Sequence, residues 1–144
     1  MDYKLKGKSV FISGSTSGIG LSTAELLIKE GAKVIINGRS AISVSDALDL
    51  IKSKYPVSKI SGIATDFSKP SEIHKLIKRL PDIDILINNV GIYESKTFFE
   101  IEDNEWHKQF EVNVMSGVRL SKYFLPQMLK KNWGRIIFIS SECA

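Results

Sequence analysis

The sequence has little cysteine and no long apolar run. Its one cysteine, Cys143, excludes an intrachain disulfide framework and a thiolate metal cluster. No stretch approaches the roughly 18 consecutive apolar residues that a membrane span needs. Residues 1–6 also lack the apolar core of a signal peptide. We therefore expect a cytoplasmic protein that makes no contact with a membrane.

Long runs of one charge are missing as well. The 20 basic residues are scattered among 16 acidic ones, and the net charge is +4. The nearest approach to a basic run, residues 75–79, is interrupted by Leu76 and Ile77, which indicates a solvated helix face. His74 and His107 are isolated, and no residues have metal-ligand spacing. These patterns argue against nucleic-acid binding and against a metal site.

What remains is an ordinary globular composition, with 43% apolar and 25% charged residues. A chain of 144 residues has room for one domain, so we expect a single domain over residues 1–144. Short, β-branched and mostly non-alternating apolar runs predict buried parallel strands. They are residues 10–12, 34–36, 59–64, 83–87 and 136–139. Helical segments separate them, and this order indicates an α/β fold with a doubly wound parallel sheet.

The helical segments carry their own start and stop signals. Gly31 is placed to end the first helix. Ile42 begins the apolar face of the second helix, and Ser68 is placed to cap the third, ahead of Pro70. These signals predict short connections between each strand and the next helix.

Residues 104–131 predict the longest helix. One apolar stripe is formed by Trp106, Phe110, Asn113, Val114, Gly117, Val118 and Ser121. Val112 and Met115 point elsewhere, and a helix that is apolar on more than one side is usually buried on more than one side. Pro126 is expected to kink or end its last turns.

A glycine-rich segment joins the first predicted strand to the first predicted helix. It reads Gly14-Ser15-Thr16-Ser17-Gly18-Ile19-Gly20. Gly14 allows a sharp turn, Gly18 leaves space for a ligand beside the backbone, and Gly20 lets the helix pack closely on the sheet. The N-terminus of the helix then offers free N–H groups and a partial positive charge. A tight turn is the alternative, but the flanking strand and helix favour binding of a dinucleotide pyrophosphate.

Five motifs in order resemble those of the short-chain dehydrogenase/reductase family. Residues 13–20 resemble its Thr-Gly-x-x-x-Gly-x-Gly motif, with Ser13 in place of threonine. Residues 88–91 resemble its Asn-Asn-Ala-Gly segment, with Val90 replacing alanine. Asp66, Asn113 and residues 139–141 match the adenine-contacting aspartate, the catalytic asparagine and the strand that carries the catalytic serine. The resemblance implies a Rossmann-type sheet of strand order 3-2-1-4-5.

The resemblance also implies where a nicotinamide dinucleotide binds. Asp66 and the adjacent Phe67 are expected at the adenine, and Asn89, Val90 and Gly91 are expected to border the cofactor.

The end of the second strand bears on the choice between NADP(H) and NAD(H). Gly38 stands where NAD-binding members of the family have an acid. Arg39 can pair with a 2′-phosphate, and Ser40 can donate a further hydrogen bond. NADP(H) is therefore favoured over NAD(H). The alternative is that Arg39 is an exposed turn residue.

The catalytic set that the resemblance implies is incomplete in this chain. Ser141 matches the serine that steadies the substrate carbonyl, and Asn113 matches the asparagine that anchors a water; Asn113 can equally be a core residue that bonds backbone carbonyls. The family's Tyr-x-x-x-Lys pair is expected about a dozen residues after Ser141, beyond the last residue of the chain. Tyr55 and Lys59 have the same spacing, but Pro56 opposes the helix they would need.

These observations predict an NADP(H)-dependent oxidoreductase that interconverts an alcohol and a ketone or aldehyde by hydride transfer. The 144 residues correspond to its N-terminal portion, without the family's last strands and helices, and we expect them to be inactive alone. The expected partners are a small-molecule substrate and a second copy, bound through the long helix and the apolar edge of the last strand. The alternative is a non-catalytic dinucleotide-binding or interaction module.

Overall fold

The computed structural model describes residues 3–141, in which parallel strands alternate with helices. The strands are β1 (Ser9–Ile12), β2 (Lys33–Gly38), β3 (Ile60–Ala64), β4 (Ile85–Asn88) and β5 (Arg135–Phe138). The helices are α1 (Gly18–Lys29), α2 (Ala41–Lys54), α3 (Pro70–Arg79), α4 (Asp103–Phe110) and α5 (Ser116–Lys130). A 3-10 turn at Phe98–Glu100 precedes α4, and a π-helical turn at Glu111–Met115 joins α4 to α5.

The sheet has the order β3-β2-β1-β4-β5 and all its pairs are parallel, which confirms the expected Rossmann-type topology. Val10 of β1 lies beside Val34 of β2 on one side and Ile85 of β4 on the other. The strand order therefore reverses at β1. In such sheets a ligand crevice opens at this switch point, beyond the carboxyl ends of the strands.

Each face of the sheet has its own apolar core. Alternation along β1 sends Val10 and Ile12 to the face covered by α1 and α2, and Phe11 to the face covered by α3 and α5. All three side chains are fully buried. Because both faces are covered, the strand is a continuous apolar run, as the sequence predicted.

The long helix exists, but the predicted buried stripe was wrong. The side chains that it buries are Val112, Ser116, Leu120, Phe124 and Met128. The predicted stripe instead contains large exposed residues, among them Trp106, Phe110, Val114 and Val118. Trp106 packs edge-on against Phe98 and Val118 lines a groove beside α3, yet all four residues remain at least 43% exposed. Apolar character on this side therefore does not mean burial.

Pro126 does not end the helix, which continues to Lys130. Proline removes one N–H and leaves the carbonyl of Lys122 without its usual partner. Both Pro126 and Lys122 are exposed, so that carbonyl can bond to water.

Other local expectations also need correction. The N-cap of α3 is Lys69, because the Ser68 hydroxyl donates to Asp66 Oδ1 at 2.7 Å. Ile42 is 75% exposed and does not face the sheet. Gly31 does follow α1, with a φ of 77°. Cys143 lies outside the described residues. None of the helices in residues 3–141 is long and apolar enough to cross a membrane.

Candidate functional site

The glycine loop after β1 passes very close to the loop that follows β4. Gly14 has a φ of 60°, and a Cβ there would lie 2.9 Å from the Cα of Val90. A Cβ at Gly20 would lie 2.6 Å from Asn89 Nδ2 and 2.6 Å from the Gly14 carbonyl oxygen. Only glycine fits both positions without displacing the loop that follows β4. The two loops therefore form one packed unit.

Ser13 and Asn89 lock these two loops together. The buried Ser13 hydroxyl accepts hydrogen bonds from the backbone N–H groups of Asn89 and Val90, both at 3.0 Å. The Asn89 amide in turn donates to the carbonyls of Ser13 at 3.1 Å and Gly14 at 2.7 Å. A hydroxyl is all that this position requires, which explains why serine can stand where the family has threonine.

Asn37, at the end of β2, holds the loop from the other side. Its Oδ1 accepts from the Gly14 N–H at 3.0 Å, and its Nδ2 donates to the Ile63 carbonyl at 3.0 Å. Its backbone N–H donates to the Ser15 hydroxyl at 2.9 Å, and Ser15 donates to the Ile12 carbonyl at 2.7 Å. Ser15 is thus buried beneath the loop, and its side chain does not line the cleft.

The N-terminus of α1 is open toward the cleft. Its N-cap, Ser17, makes no side-chain capping bond, and its first turn contains no acid. Gly18 has a φ of 55°, and a Cβ there would meet no atom within 4 Å. The first N–H groups of a helix lack internal partners and carry a partial positive charge. The empty space before Gly18 therefore fits an anion such as a pyrophosphate.

A cleft of about 420 Å³ lies above these loops. It is lined by Gly14, Thr16, Ser17, Asn37, Gly38, Arg39, Thr65, Asp66, Phe67, Ser68, Val90, Gly91, Ile92, Lys108 and Val112. Most of the cofactor-binding residues predicted from the sequence meet here, at the carboxyl ends of β1, β2, β3 and β4. The sequence reasoning missed Asn37 and Lys108. Asn37 carried a signal, since a polar residue ends an otherwise apolar strand; Lys108 carried none.

Asp66 is held as a carboxylate at one end of the cleft. Its Oδ1 accepts from the Ser68 hydroxyl at 2.7 Å and from the Ser68 N–H at 3.0 Å. These hydrogen bonds, with a smaller contribution from Lys69, lower the pKa of Asp66 below its usual value. Oδ2 lies 3.6 Å from Lys69 Nζ, and no hydrogen bond from another residue described in the structure occupies it. Asp66 thus presents a charged acceptor to whatever enters.

Arg39 and Ser40 follow β2, the strand next to β3, which Asp66 follows. Arg39 is exposed and lines the cleft. The Ser40 hydroxyl caps α2, because it accepts from the Ser43 N–H at 3.2 Å. A Cβ at Gly38 would lie 2.5 Å from Thr16 Cγ2, so a larger side chain at this position displaces Thr16. The end of β2 therefore offers a cation and no acid.

Asn113 lies in the π-helical turn, and its side chain forms hydrogen bonds with the loop after β4. Its Oδ1 accepts from the Ile92 N–H at 2.7 Å, and its Nδ2 donates to the Ile92 carbonyl at 2.9 Å and to Gln109 Oε1 at 2.9 Å. A π-turn widens the helix by one residue and is common at functional sites. Ser141 lies just beyond the carboxyl end of β5. Both residues are therefore near the carboxyl ends of the strands, where the cleft lies.

The Tyr55–Lys59 pair lies at the opposite ends of the strands, away from the cleft. Tyr55 caps the C-terminus of α2, and both residues line a groove with Gly31 and Lys6, at the amino ends of the strands. Ser141 follows the carboxyl end of β5, so the length of a strand separates it from Tyr55 and Lys59. Residues 3–141 also contain no group of three or more histidine, cysteine, aspartate or glutamate side chains able to hold a metal ion.

Known proteins share both the sequence pattern and the fold. The short chain dehydrogenase family model matches residues 8–144. The uncharacterized oxidoreductase YvaG of Bacillus subtilis is 44% identical over 100% of this chain and 54% of its own length. The 3-oxoacyl-[acyl-carrier-protein] reductase FabG of Aquifex aeolicus is 35% identical, over 98% of this chain and 58% of its own.

A solved structure gives the same result. L-sorbose reductase from Gluconobacter frateurii, complexed with NADPH and L-sorbose, is 33% identical with a TM-score of 0.90, over 99% of this chain and 56% of that one. The chain thus spans a little over half the length of these relatives. On the glycine loop, the sheet order and these matches together, the chain belongs to the short chain dehydrogenase family.

Proposed function

We propose that these residues form the cofactor-binding part of an NADP(H)-dependent oxidoreductase that interconverts an alcohol and a ketone or aldehyde in the cytoplasm. The observation that carries the proposal is one cleft bordered by Ser17, the N-cap of α1, and by Arg39 at the end of β2, with open space before the adjacent Gly18. Two separated anionic groups fit this arrangement, one at α1 and one at Arg39.

The preference for NADP(H) rests on Gly38 and Arg39. Gly38 supplies no acid to accept hydrogen bonds from ribose hydroxyls, and a side chain there would have to displace Thr16. Arg39 presents a forked guanidinium that pairs with a phosphate through two bonds. The L-sorbose reductase relative is itself described with NADPH, which supports the same choice.

Bound in the cleft, a nicotinamide dinucleotide would supply the hydride acceptor or donor of the reaction. The chain's own residues then position the substrate side. Ser141, beyond β5, would donate a hydrogen bond to the substrate oxygen. Asn113 fixes the backbone of Ile92 with two hydrogen bonds and so holds the floor of the site. Because no tyrosine–lysine pair lies near Ser141 in residues 3–141, we expect residues 1–144 to bind cofactor without turnover.

A non-catalytic dinucleotide-binding module is the second candidate. Within residues 3–141 no tyrosine–lysine pair stands near Ser141, and a phenol with a pKa near 10 needs a nearby cation to act as a base at neutral pH. The two candidates share the cleft and differ only in turnover.

Equilibrium titration of the 144-residue protein with NADPH and NADH tests the shared part. We expect tighter binding of NADPH, and we expect Arg39→Ala to weaken NADPH binding by about tenfold or more while NADH binding stays unchanged, because a charge-assisted hydrogen bond contributes about 1.5–3 kcal/mol. Arg79→Ala, at the far end of α3, is the matched control. A wild-type protein that binds neither dinucleotide contradicts the proposal.

We also propose self-association through the exposed side of α4 and α5. Trp106, Phe110, Val114 and Val118 recur at four-residue intervals and are each between 43% and 57% exposed. An exposed apolar stripe of this length is typical of an interface. Light scattering should show a dimer or larger, and Val118→Lys should lower the mass; a wild-type monomer contradicts the proposal.

A further inference from the structure

The cleft contains a charged residue that no step above has used. Lys108 lines its wall together with Asp66, Ser68 and Val112. Val112 is buried one turn further along the helix and forms part of the cleft floor. Lys108, four residues before Val112, lines the same cleft. It thus faces the same space as Asp66, from another element.

Lys108 is available to a ligand. Among residues 3–141 its acidic neighbours along the helix have other partners: Glu105 pairs with Lys96, and Glu111 pairs with Arg119. No salt bridge joins Lys108 itself to an acid in that part of the chain. Its ammonium group interacts with Glu105 only through charge, without an ion-pair contact, and can donate three hydrogen bonds to a ligand at the rim.

Asp66 and Lys108 are complementary in hydrogen bonding. Asp66 Oδ1 accepts from Ser68, and Oδ2, 3.6 Å from Lys69 Nζ, can accept a further hydrogen bond. An adenine ring presents an amino donor at N6 beside a ring acceptor at N7. A carboxylate accepts from the amino group, and an ammonium donates to the ring nitrogen.

We propose that Lys108 is a cofactor-specificity residue that donates a hydrogen bond to the adenine ring and, with Asp66, reads its edge. This inference rests on the proposed dinucleotide site and extends it to a residue on α4. On this proposal, Arg39 recognises the 2′-phosphate of NADPH, whereas Lys108 recognises the adenine base that NADPH and NADH share.

The test compares dissociation constants of four reduced ligands with wild type, Lys108→Ala and Arg39→Ala. The ligands are NADPH, NADH, nicotinamide hypoxanthine dinucleotide and nicotinamide mononucleotide. Lys108→Ala should weaken NADPH and NADH by the same factor, about fivefold, and leave the mononucleotide unaffected. Hypoxanthine keeps the N7 acceptor, so Lys108→Ala should weaken the hypoxanthine dinucleotide at least as much. Lys122→Ala is the matched control, because that lysine is exposed on α5 and lines a groove beside α3, away from the cleft.

Two outcomes overturn the inference. Unchanged binding of both dinucleotides by Lys108→Ala shows that Lys108 does not touch the cofactor. A loss confined to NADPH shows that it acts on the 2′-phosphate and not on adenine. Failure of the proposed function looks different, since wild-type protein would then bind no dinucleotide at all. Circular dichroism of each variant shows whether the fold is retained.

Discussion

The strands β1 and β5 both have short apolar sequences, but β1 is buried in the middle of the sheet and β5 is partly exposed at its edge. In β1, Val10, Phe11 and Ile12 are each 0% exposed. In and just after β5, Ile137, Phe138 and Ile139 are 43%, 56% and 41% exposed. β1 has a neighbour on both sides and helices on both faces, whereas β5 lies at the edge of the sheet. A short apolar run therefore predicts a strand, but its burial depends on its place in the strand order.

The glycines show the same contrast at the scale of single atoms. Around β1, Gly14 and Gly20 have neighbours closer than 3 Å to any added Cβ. Gly18, a few residues away, has open space in front of it. One loop thus contains positions fixed by packing and a position left free for a ligand. Substitutions can separate stability from binding within it.

The largest expected effect compares phenylalanines in the two strands. Phe11→Ala removes a fully buried ring and should lower the free energy of unfolding by about 3–5 kcal/mol. Phe138→Ala should cost about 1 kcal/mol, because more than half of that side chain is already exposed and the transfer term shrinks in proportion. Urea denaturation of both variants measures the difference. Equal costs would mean that β5 is covered in solution by something outside residues 3–141.

The second prediction compares Gly14 with Gly18. Gly14→Ala forces a Cβ to 2.9 Å from the Val90 backbone in a left-handed conformation, and overpacking together with strain should cost about 2–4 kcal/mol. Gly18→Ala carries only the conformational penalty, about 1 kcal/mol. Its effect should appear in NADPH binding, because the new methyl group occupies the open space.

Thermal unfolding and NADPH titration of both variants provide the check. If Gly18→Ala bound NADPH as tightly as wild type, the space before Gly18 would not be the pyrophosphate site.

The topology could be predicted from the sequence because it depends on coarse features. Alternating apolar runs and helical segments dictate a parallel sheet, and a right-handed crossover leaves few possible strand orders. The glycine loop could be predicted because two of its positions, Gly14 and Gly20, have no room for a side chain. The resemblance to a known family then supplied the positions of Asp66 and Asn113, and the structure places both beside the cleft edge of the sheet.

Contacts between distant residues could not be predicted in this way. The Ser13–Asn89 and Ser15–Asn37 hydrogen bonds join positions 22 or more apart in sequence, and no local pattern marks such pairs. The face of the long helix was misjudged because Trp106 and Phe110 are large and apolar, yet the sheet lies on the side of Val112 and Leu120. The size and hydrophobicity of a side chain favour its burial, but they do not show which element of the fold would cover it.

The smallest expected effect concerns Asp66, which lies between the packed loop and the open cleft. Its pKa is lowered in the folded state by the hydrogen bonds from Ser68. A carboxyl with a lowered folded pKa stabilises the protein above its unfolded pKa, near 3.9, and this contribution disappears as the pH falls through the folded value. Asp66→Asn should therefore cost about 1 kcal/mol at pH 7, the usual net contribution of a hydrogen bond.

The difference in unfolding free energy between wild type and Asp66→Asn should shrink below about pH 4, where the unfolded-state carboxyl takes up its proton. Asp46→Asn, which removes an exposed carboxylate on α2, is the matched control. Urea denaturation from pH 3 to pH 7 measures both. A difference that stays constant across this range would mean that Asp66 acts through the shape of its loop and not through its charge. The proposal that Asp66 Oδ2 is an ionised acceptor for the adenine edge would then be contradicted.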